Sequence, residues 1–313
     1  MKTLRNQSNL AFVNGTFVPA AKASISIFDR GFLYGDGIFE TLRVYNGKVF
    51  RLAQHLWRLR SGVDALQIRG LQDADFIANA VRELIRRNRI REGFVRILVT
   101  RGNGDIGLNI AHAGAPLLVI YAQNKPPRPE TEYRRGWCVV TSKILVSADS
   151  WLEVTKTISR VHHVAAKAEA EAAGVEDALL LNTRGQLTEG TTSNLFIIKK
   201  GCLLTPPIAD GLLGGITRAA ILELAQHQRI PTSEEHLTPR DLYRADEAFL
   251  SSTLIELMPI VEADGKKIGA GFFGNRRGKS HPITTVLRYQ FRELVRRELG
   301  KDVAGITYSA KRA

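Results

Sequence analysis

Cysteine and long apolar runs are both scarce in this sequence. Its 313 residues include only two cysteines, Cys138 and Cys202, which can form no disulfide framework and lack the spacing of metal ligands. No apolar run approaches the roughly 18 residues that a membrane helix needs. No continuous apolar segment precedes Phe12, so no secretory signal is predicted. We therefore expect a protein of the reducing cytoplasm that has no metal site and does not enter the membrane.

Acidic residues are fewer than basic ones. The chain has 31 Asp and Glu against 44 Lys and Arg, a net charge of +13, and residues 274–313 hold ten of the basic residues but only three acidic ones. A strongly basic balance is typical of proteins that bind nucleic acid, which is therefore the non-enzymatic alternative. No recognition module and no interleaving of basic and aromatic residues accompanies the charge, so nucleic acid is not the partner we expect.

The basic region also predicts an amphipathic helix. Apolar residues recur there at helical spacing and would share the buried face: Leu287, Phe291, Leu294 and Val295. Three arginines fall on another face: Arg288, Arg292 and Arg296. We interpret this segment as an ordinary helix whose arginines face solvent.

The length of the chain is sufficient for two domains. A run containing Pro126, Pro127 and Pro129 interrupts every periodic pattern, so we expect a domain of residues 1–123, a linker of 124–132 and a domain of 133–313. Two Asn-Gly pairs, at 14–15 and 46–47, predict β-hairpins. The remaining patterns in the first domain predict helices at 52–66 and 74–87 and strands at 94–100 and 117–122.

Lys156 is the candidate for covalent chemistry. It lies among β-branched residues, Val154, Thr155, Thr157 and Ile158, which favour a half-buried extended segment. Desolvation disfavours the charged form of a lysine, so a half-buried lysine is a usable amine near neutral pH. Because most lysines lie on solvated faces, this role is a hypothesis that depends on the surrounding motifs.

The glycine-rich segment before one predicted helix fits a phosphorylated ligand, and one carboxylate is a separate candidate for a functional role. Residues 211–217 form a glycine-rich entry into a predicted helix, where free backbone N–H groups and the positive end of the helix dipole favour an anion. The alternative is a tight turn with no ligand. Glu189 precedes Gly190 at the end of a predicted strand, where a surface carboxylate is the alternative to a functional one.

Seven separated motifs occur in the order found in one family. They are Asp29-Arg30-Gly31 with residues 34–40, residues 55–59, Lys156 with residues 166–170, Thr188-Glu189-Gly190 with residues 193–196, residues 205–207, residues 215–218, and residues 245–247 with 251–253. With these motifs the sequence resembles the class IV aminotransferases, fold-type IV pyridoxal-phosphate enzymes that include branched-chain and D-amino-acid aminotransferases and aminodeoxychorismate lyase. The resemblance covers residues 12–294. It implies an α/β fold of the α+β type, with a smaller N-terminal α/β domain and a larger C-terminal domain that contains a barrel-like sheet.

The resemblance also implies roles for individual residues. Lys156 would be the catalytic Schiff-base lysine, Glu189 the partner of the ring nitrogen of pyridoxal 5′-phosphate, and Arg58 a ligand of its phosphate. The other cofactor contacts would be Thr192, Ser193, Ile216, Thr217, Ser252 and Thr253. Substrate contacts would come from Phe32, Tyr34, Phe39 and Thr41. The substrate carboxylate requires a guanidinium, for which the candidates are Arg43, Arg96, Arg101 and Arg160.

We therefore predict an aminotransferase that moves an amino group between an α-amino acid and a 2-oxo acid, and a homodimer as in the family. The subfamily motifs are mixed. Residues 251–259 and 99–102 resemble D-amino-acid aminotransferases, whereas Thr41 after Glu40 and Arg160 after Lys156 resemble aminodeoxychorismate lyase. Val161 is close to where branched-chain enzymes place a tyrosine, and this departure weakens the branched-chain assignment without excluding it. A branched-chain L- or D-amino acid substrate and a lyase that eliminates pyruvate both stay open.

Overall fold

The computed structural model describes residues 9–269 and 282–300, which separate into two compact units. Among them, residues 9–127, Thr155–Ser159 and 295–300 form the first unit. The second contains Arg128–Val154 and the described part of Arg160–Leu294. The rest of the predicted basic tail lies outside the described residues.

The first unit is an antiparallel sheet with helices on one face. Its strands are β1 (Leu10–Val13), β2 (Thr16–Pro19), β3 (Gly37–Tyr45), β4 (Lys48–Val49), β5 (Gly93–Thr100) and β6 (Leu117–Asn124), in the order β2-β1-β6-β5-β3-β4. Its helices are α1 (Arg30–Tyr34), α2 (Leu52–Ala65) and α3 (Ala74–Arg87). Both predicted hairpins are confirmed: Asn14 and Asn46 have positive φ at the turns β1–β2 and β3–β4.

The core of the first unit follows the two periodicities of its elements. Alternate residues of β3 and β5, such as Leu42, Val95 and Ile97, lie on the face covered by α2 and α3. Residues Leu59 and Leu84 of the two helices complete that core. The intervening strand residues point to the opposite face, which these helices do not cover.

The second unit contains a closed, barrel-like sheet. Its strands are β7 (Trp137–Val146), β8 (Asp177–Asn182), β9 (Leu187–Gly190), β10 (Asn194–Lys199), β11 (Cys202–Thr205), β12 (Thr232–Glu234), β13 (Glu247–Ser252), β14 (Glu256–Ala263) and β15 (Lys266–Lys267). The order β10-β13-β14-β7-β8-β9 returns to β10 through the Asn194–Glu189 pair, so six strands form a ring. The predicted α/β class with a barrel-like sheet in the later part of the chain is confirmed.

Six helices accompany that sheet in the described part of the chain: α4 (Glu130–Arg135), α5 (Trp151–Val154), α6 (Val161–Ala172), α7 (Ile216–His227), α8 (Pro239–Tyr243) and α9 (Ile283–Leu299). Ala166 and Ala170 of α6 pack against Ala178 and Leu180 of β8. Helix α4 begins at Glu130, within the segment 124–132 predicted as a linker, and Pro129 is its N-terminal cap residue.

The prediction for α9 is confirmed on one face and wrong on the other. Leu287 and Phe291 are buried as expected. Arg288 and Arg292, however, do not face solvent: both bind Glu130, and Arg292 Nε also donates to Glu256 at 2.9 Å. Both guanidinium groups also lie over the ring of Tyr133. The apolar pattern predicts only which face is buried, whereas these acidic partners come from distant segments.

Candidate active site

Lys156 is held against the edge of β3 by its backbone. The Phe39 N–H donates to the Lys156 carbonyl at 3.0 Å, and the Ile158 N–H donates to the Gly37 carbonyl at 2.9 Å. Gly37 permits this approach, since a Cβ there would lie 2.5 Å from the Val99 carbonyl oxygen and 2.7 Å from Ile158 Cδ1. Lys156 is half-buried, as predicted, but the predicted extended segment is wrong: Val154 ends helix α5, Thr155 and Lys156 form a turn, and an isolated Ile38–Thr157 bridge follows.

The side chain of Lys156 lies beside an aromatic ring that also contacts an arginine. Lys156 Nζ is 4.7 Å from the centre of the Phe39 ring, and Arg96 Cζ is 3.8 Å from it. Arg96 is paired across the strands with Thr41 and donates from Nη1 to its hydroxyl at 3.1 Å. Phe39, Thr41 and Arg96 share the sheet face that α2 and α3 do not cover. The first unit thus brings together four of the predicted residues.

Burial of Arg96 lowers the pKa of its guanidinium, which carries no carboxylate bridge within the described residues. Arg43 and Arg101 differ from it. Arg43 donates to the Lys125 carbonyl at 2.8 Å and to Glu92 at 3.1 Å. Arg101 binds Asp36 at 2.7 and 3.0 Å. Of these three candidates, Arg96 is the one whose guanidinium lies against Phe39, the ring that Lys156 also contacts.

Arg58, the arginine predicted to bind the cofactor phosphate, is itself bound by a buried carboxylate on the other face of β3. Glu40 is fully buried and accepts from Arg58 Nε at 2.6 Å and Nη2 at 2.9 Å, and from His55 Nδ1 at 2.8 Å. Burial would raise the pKa of Glu40, but Arg58 and His55 outweigh it and hold that pKa well below the usual range. Burial lowers the pKa of His55. Arg58 is therefore fixed in orientation by two hydrogen bonds to one carboxylate.

Phe32 and Tyr34 lie on α1, which Asp29 caps through the N–H groups of Gly31 and Phe32. Both aromatic side chains are exposed. The Tyr34 hydroxyl accepts from the Gly107 N–H at 2.8 Å, which ties α1 to the loop before β6.

Glu189, the predicted partner of the cofactor ring nitrogen, lies in the second unit. It is buried at the end of β9, where Oε2 accepts from the Leu213 N–H at 3.1 Å and from Asn194 Nδ2 at 3.3 Å. His163 of α6 lies with its Nε2 at 3.2 Å from Oε1. Arg160 has its Nη1 at 3.4 Å from that same imidazole nitrogen. Glu189 is thus a buried acceptor with several donors, and the surface alternative is wrong.

Helix α7 begins beside this carboxylate. Its first residue, Ile216, follows Gly215, and no side chain among the described residues caps the helix. A Cβ on Gly215 would lie 2.0 Å from Asn194 Oδ1, so only glycine permits this approach. Thr217 is buried in the first turn. The helix therefore starts with backbone N–H groups that could donate hydrogen bonds to a phosphate.

The remaining predicted cofactor contacts lie on nearby strands of the barrel. Ser193 is buried between β9 and β10, where its hydroxyl lies 3.3 Å from Asp177 Oδ2, whereas Thr192 is exposed. Burial raises the pKa of Asp177. Ser252 and Thr253 are half-buried where β13 ends, and β13 pairs with β10.

Comparison with known proteins places this geometry in a family. The family model for amino-transferase class IV matches residues 37–263. The chain belongs to the class IV aminotransferases. It is 37% identical over 283 residues to a putative branched-chain-amino-acid aminotransferase of Methanocaldococcus jannaschii, covering 90% of this chain and 95% of the relative. It is 33% identical over 295 residues to a D-alanine aminotransferase of Listeria monocytogenes, covering 93% and 98%.

Solved structures agree with this assignment. The branched-chain amino acid aminotransferase from Escherichia coli is 28% identical and superposes with a TM-score of 0.84 over 95% of this chain and 97% of the other. A putative 4-amino-4-deoxychorismate lyase of Legionella pneumophila is 27% identical, with a TM-score of 0.78 over 88% and 96%. Another similar branched-chain aminotransferase was solved with pyridoxamine 5′-phosphate. The protein is therefore an aminotransferase of fold type IV, and its cofactor is pyridoxal 5′-phosphate.

Each unit contains groups whose chemistry is compatible with that cofactor. In the first unit, Lys156 is an amine and Arg58 a guanidinium held by Glu40. In the second unit, the start of α7 has backbone N–H groups without a side-chain cap, and Glu189 is a buried carboxylate. Sequence reasoning assigned no role to the partners of these residues: Glu40, His55, His163, Asn194 and Asp177. Glu40, His55 and Asn194 lie within the family motifs, and His55 also stands three residues before Arg58 on one predicted helix, whereas His163 and Asp177 gave no signal.

No helix in the described ranges is long and apolar enough to cross a membrane.

Proposed function

We propose that this aminotransferase transfers the amino group of a branched-chain L-amino acid to a 2-oxo acid such as 2-oxoglutarate or pyruvate. The observation that carries the proposal is the Phe39 ring, which lies 4.7 Å from Lys156 Nζ and 3.8 Å from Arg96 Cζ. An apolar surface beside an amine and a guanidinium fits a substrate with an α-carboxylate and an aliphatic side chain. The Methanocaldococcus jannaschii relative is named as a branched-chain enzyme.

Each residue has a proposed role. Pyridoxal phosphate supplies the aldehyde that takes up the amino group and the ring that accepts electrons from the substrate Cα. Lys156 would hold the cofactor through its aldehyde and, once its amine is free, would move the proton at the substrate Cα as a general base. Glu189 accepts a hydrogen bond from the ring nitrogen and keeps its proton in place. Arg96 binds the α-carboxylate.

The phosphate of the cofactor would be bound by one arginine and several neutral donors. Arg58 is a permanent charge whose plane is set by Glu40, and a preset guanidinium loses less entropy when it binds a phosphate. Ile216 and Thr217 at the start of α7, with Ser252 and Thr253, are the proposed neutral donors. Thr192 and Ser193 complete the proposed cofactor contacts.

A second candidate substrate is a D-amino acid. The Listeria monocytogenes relative, which this chain matches nearly end to end, is named as a D-alanine aminotransferase. Elimination of pyruvate from aminodeoxychorismate is the third candidate, supported by the fold of the Legionella pneumophila protein. Because all three reactions would use Lys156, a variant of Lys156 cannot distinguish them. They differ in which substrate changes the visible spectrum of the bound cofactor.

The enzyme is further proposed to be a cytoplasmic homodimer. Both cysteines are free, which fits a reducing compartment. In the first unit, Phe28 and Phe32 near α1 and Ile106 and Leu108 in the loop before β6 are exposed, and hydrogen bonds from Arg30 and to Tyr34 hold the two segments together. An apolar surface of this kind is typical of a subunit interface.

The deciding experiment is a visible spectrum of the purified enzyme during addition of L-leucine, D-alanine and D-glutamate in separate titrations. We expect the cofactor band to convert to the amine form with L-leucine. Conversion by a D-amino acid instead would favour the second candidate, and an unchanged band with all three would favour the lyase. Lys156→Ala should show no protein-bound band. Arg96→Met should raise KM for the amino acid with the band intact.

A further inference from the structure

We propose that His163 is a positioning residue that donates Nε2–H to Glu189 and holds this carboxylate in the orientation that the cofactor ring nitrogen requires. The inference rests on the proposed role of Glu189 as partner of the cofactor ring nitrogen. Its evidence lies entirely within the second unit, in the side chains at the start of α6 and the end of β9.

The two oxygens of Glu189 have different partners. Oε2 receives two hydrogen bonds, from the Leu213 N–H and from Asn194 Nδ2. Oε1 has one partner among the described residues, His163 Nε2 at 3.2 Å. A carboxylate oxygen can accept two hydrogen bonds. Oε1 therefore retains one acceptor position, and it is the oxygen available to a ring N–H.

To form a hydrogen bond with the Glu189 carboxylate, the His163 imidazole must carry a proton on Nε2. Its Nδ1 is buried and has no hydrogen-bond partner in the described structure. If the proton were on Nδ1, that N–H would be buried without an acceptor, and Nε2 would face the carboxylate with a lone pair. With the proton on Nε2, only the Nδ1 lone pair lacks a partner. The geometry favours the Nε2–H tautomer.

Two neighbouring side chains lie beside the ring. Arg160 Nη1 lies 3.4 Å from Nε2, and the His162 ring lies tilted against the His163 ring at 4.3 Å between ring centres. His162 is itself bound to Glu153 at 3.2 Å. A guanidinium can only donate, so the Arg160 contact by itself would favour a lone pair on Nε2. The contact with the Glu189 carboxylate is shorter, 3.2 Å against 3.4 Å, and it requires a donor at Nε2, so we take the Glu189 contact as the one that sets the tautomer.

The chemical effect follows from where a hydrogen bond stabilises charge. A donor to the ionised carboxylate favours that form and lowers its affinity for a proton. The proton shared with the ring nitrogen then stays on the ring, where it is needed to accept electrons from the substrate. Without His163, Oε1 of Glu189 loses its donor, and the carboxylate can rotate about the two hydrogen bonds that hold Oε2.

The first test measures the wild-type protein and uses a variant only to assign the signal. A ¹⁵N–¹H correlation spectrum of the histidine-labelled wild-type protein without cofactor, assigned with His163→Gln, reports the tautomer of His163 at pH 7. We expect a neutral ring protonated on Nε2. A ring protonated on Nδ1, or a doubly protonated ring, would overturn the proposal without bearing on the aminotransferase activity.

The second test compares His163→Leu, which removes the donor, with His163→Gln, whose amide can replace it. In His163→Leu the pH midpoint of the cofactor's visible band should rise by about 0.5 unit or more, because a ring that has lost its proton withdraws fewer electrons. Its kcat should fall roughly tenfold with KM little changed, the effect of one charge-assisted hydrogen bond. His163→Gln should restore both.

The control is His162→Gln, which changes the neighbouring ring and leaves Glu189 with all its donors. An unshifted midpoint in a folded His163→Leu protein would overturn the proposal. So would equal shifts in His163→Leu and His163→Gln, which would indicate a packing effect. Absence of any bound-cofactor band in the wild-type protein would instead count against the proposed roles of Lys156 and Glu189.

Discussion

Glu40 offers a direct test of how the first unit holds Arg58. The carboxylate is fully buried and accepts three hydrogen bonds, two from Arg58 and one from His55. Glu40→Gln keeps the size of the side chain but removes the charge and turns an amide donor toward the arginine. The side chain of Arg58 is only 13% exposed, so water cannot replace the lost partner fully.

The expected cost is large for a single isosteric change. Removing one member of a buried ion pair lowers the free energy of unfolding by about 3–5 kcal/mol, because the other charge stays buried. Replacing both members with apolar residues, as in Glu40→Leu with Arg58→Met, should cost less than the sum of the two single changes. The measurement is urea unfolding of the protein without cofactor, followed by far-ultraviolet circular dichroism.

Glu83 on α3 provides a matched control. It binds Arg86 and Arg87 at 2.6 Å, the same distance as Glu40 to Arg58, but at the surface. Glu83→Gln should therefore leave the unfolding midpoint almost unchanged, since solvent screens an exposed pair. If Glu40→Gln were as mild as Glu83→Gln, burial would not be what makes the Glu40 pair strong, and the reasoning would be refuted.

Acid provides an independent check on Glu40. Its folded-state pKa lies well below the usual glutamate value. A lowered pKa means that the carboxylate contributes its stability above the unfolded pKa of about 4.3 and loses it as the pH falls toward the folded value. The wild-type protein should therefore lose stability more steeply than Glu40→Gln below about pH 4.3. Parallel pH profiles would contradict this.

Two further predictions concern the second unit. Gly215→Ala should lower the free energy of unfolding by about 1–3 kcal/mol and weaken binding of pyridoxal phosphate in a fluorescence titration, because its Cβ would lie 2.0 Å from Asn194 Oδ1. Gly214→Ala, whose Cβ would meet only Ile208 Cδ1 at 3.3 Å, is its control. Arg292→Met should cost about 3–5 kcal/mol in urea unfolding because it removes contacts with Glu130 and Glu256. The exposed Arg297→Met on the same helix should stay within about 0.5 kcal/mol, and equal effects of the two would refute a structural role for Arg292.

The sequence was most informative where neighbours in the chain decide the structure. The Asn-Gly hairpins, α2, α3 and the apolar face of α9 follow from turn chemistry and periodicity, which act over a few residues. The order of seven motifs identified the family, and the half-buried state of Lys156 followed from the β-branched residues around it. These features need no knowledge of distant contacts.

Tertiary structure alone decided how the charged side chains are paired. Glu40 and Arg58 are 18 residues apart in the chain, Glu189 and His163 are 26 apart, and Arg288 and Glu130 are 158 apart. An arginine in a sequence has no mark that separates a solvated side chain from one bound by a buried carboxylate. The sequence did not distinguish the four candidate arginines, whereas the fold gives them different partners: Arg43 and Arg101 bind carboxylates, Arg96 lies over Phe39, and Arg160 lies beside His163. Coulombic and hydrogen-bond energies depend on distance in space and on burial, and the fold sets both.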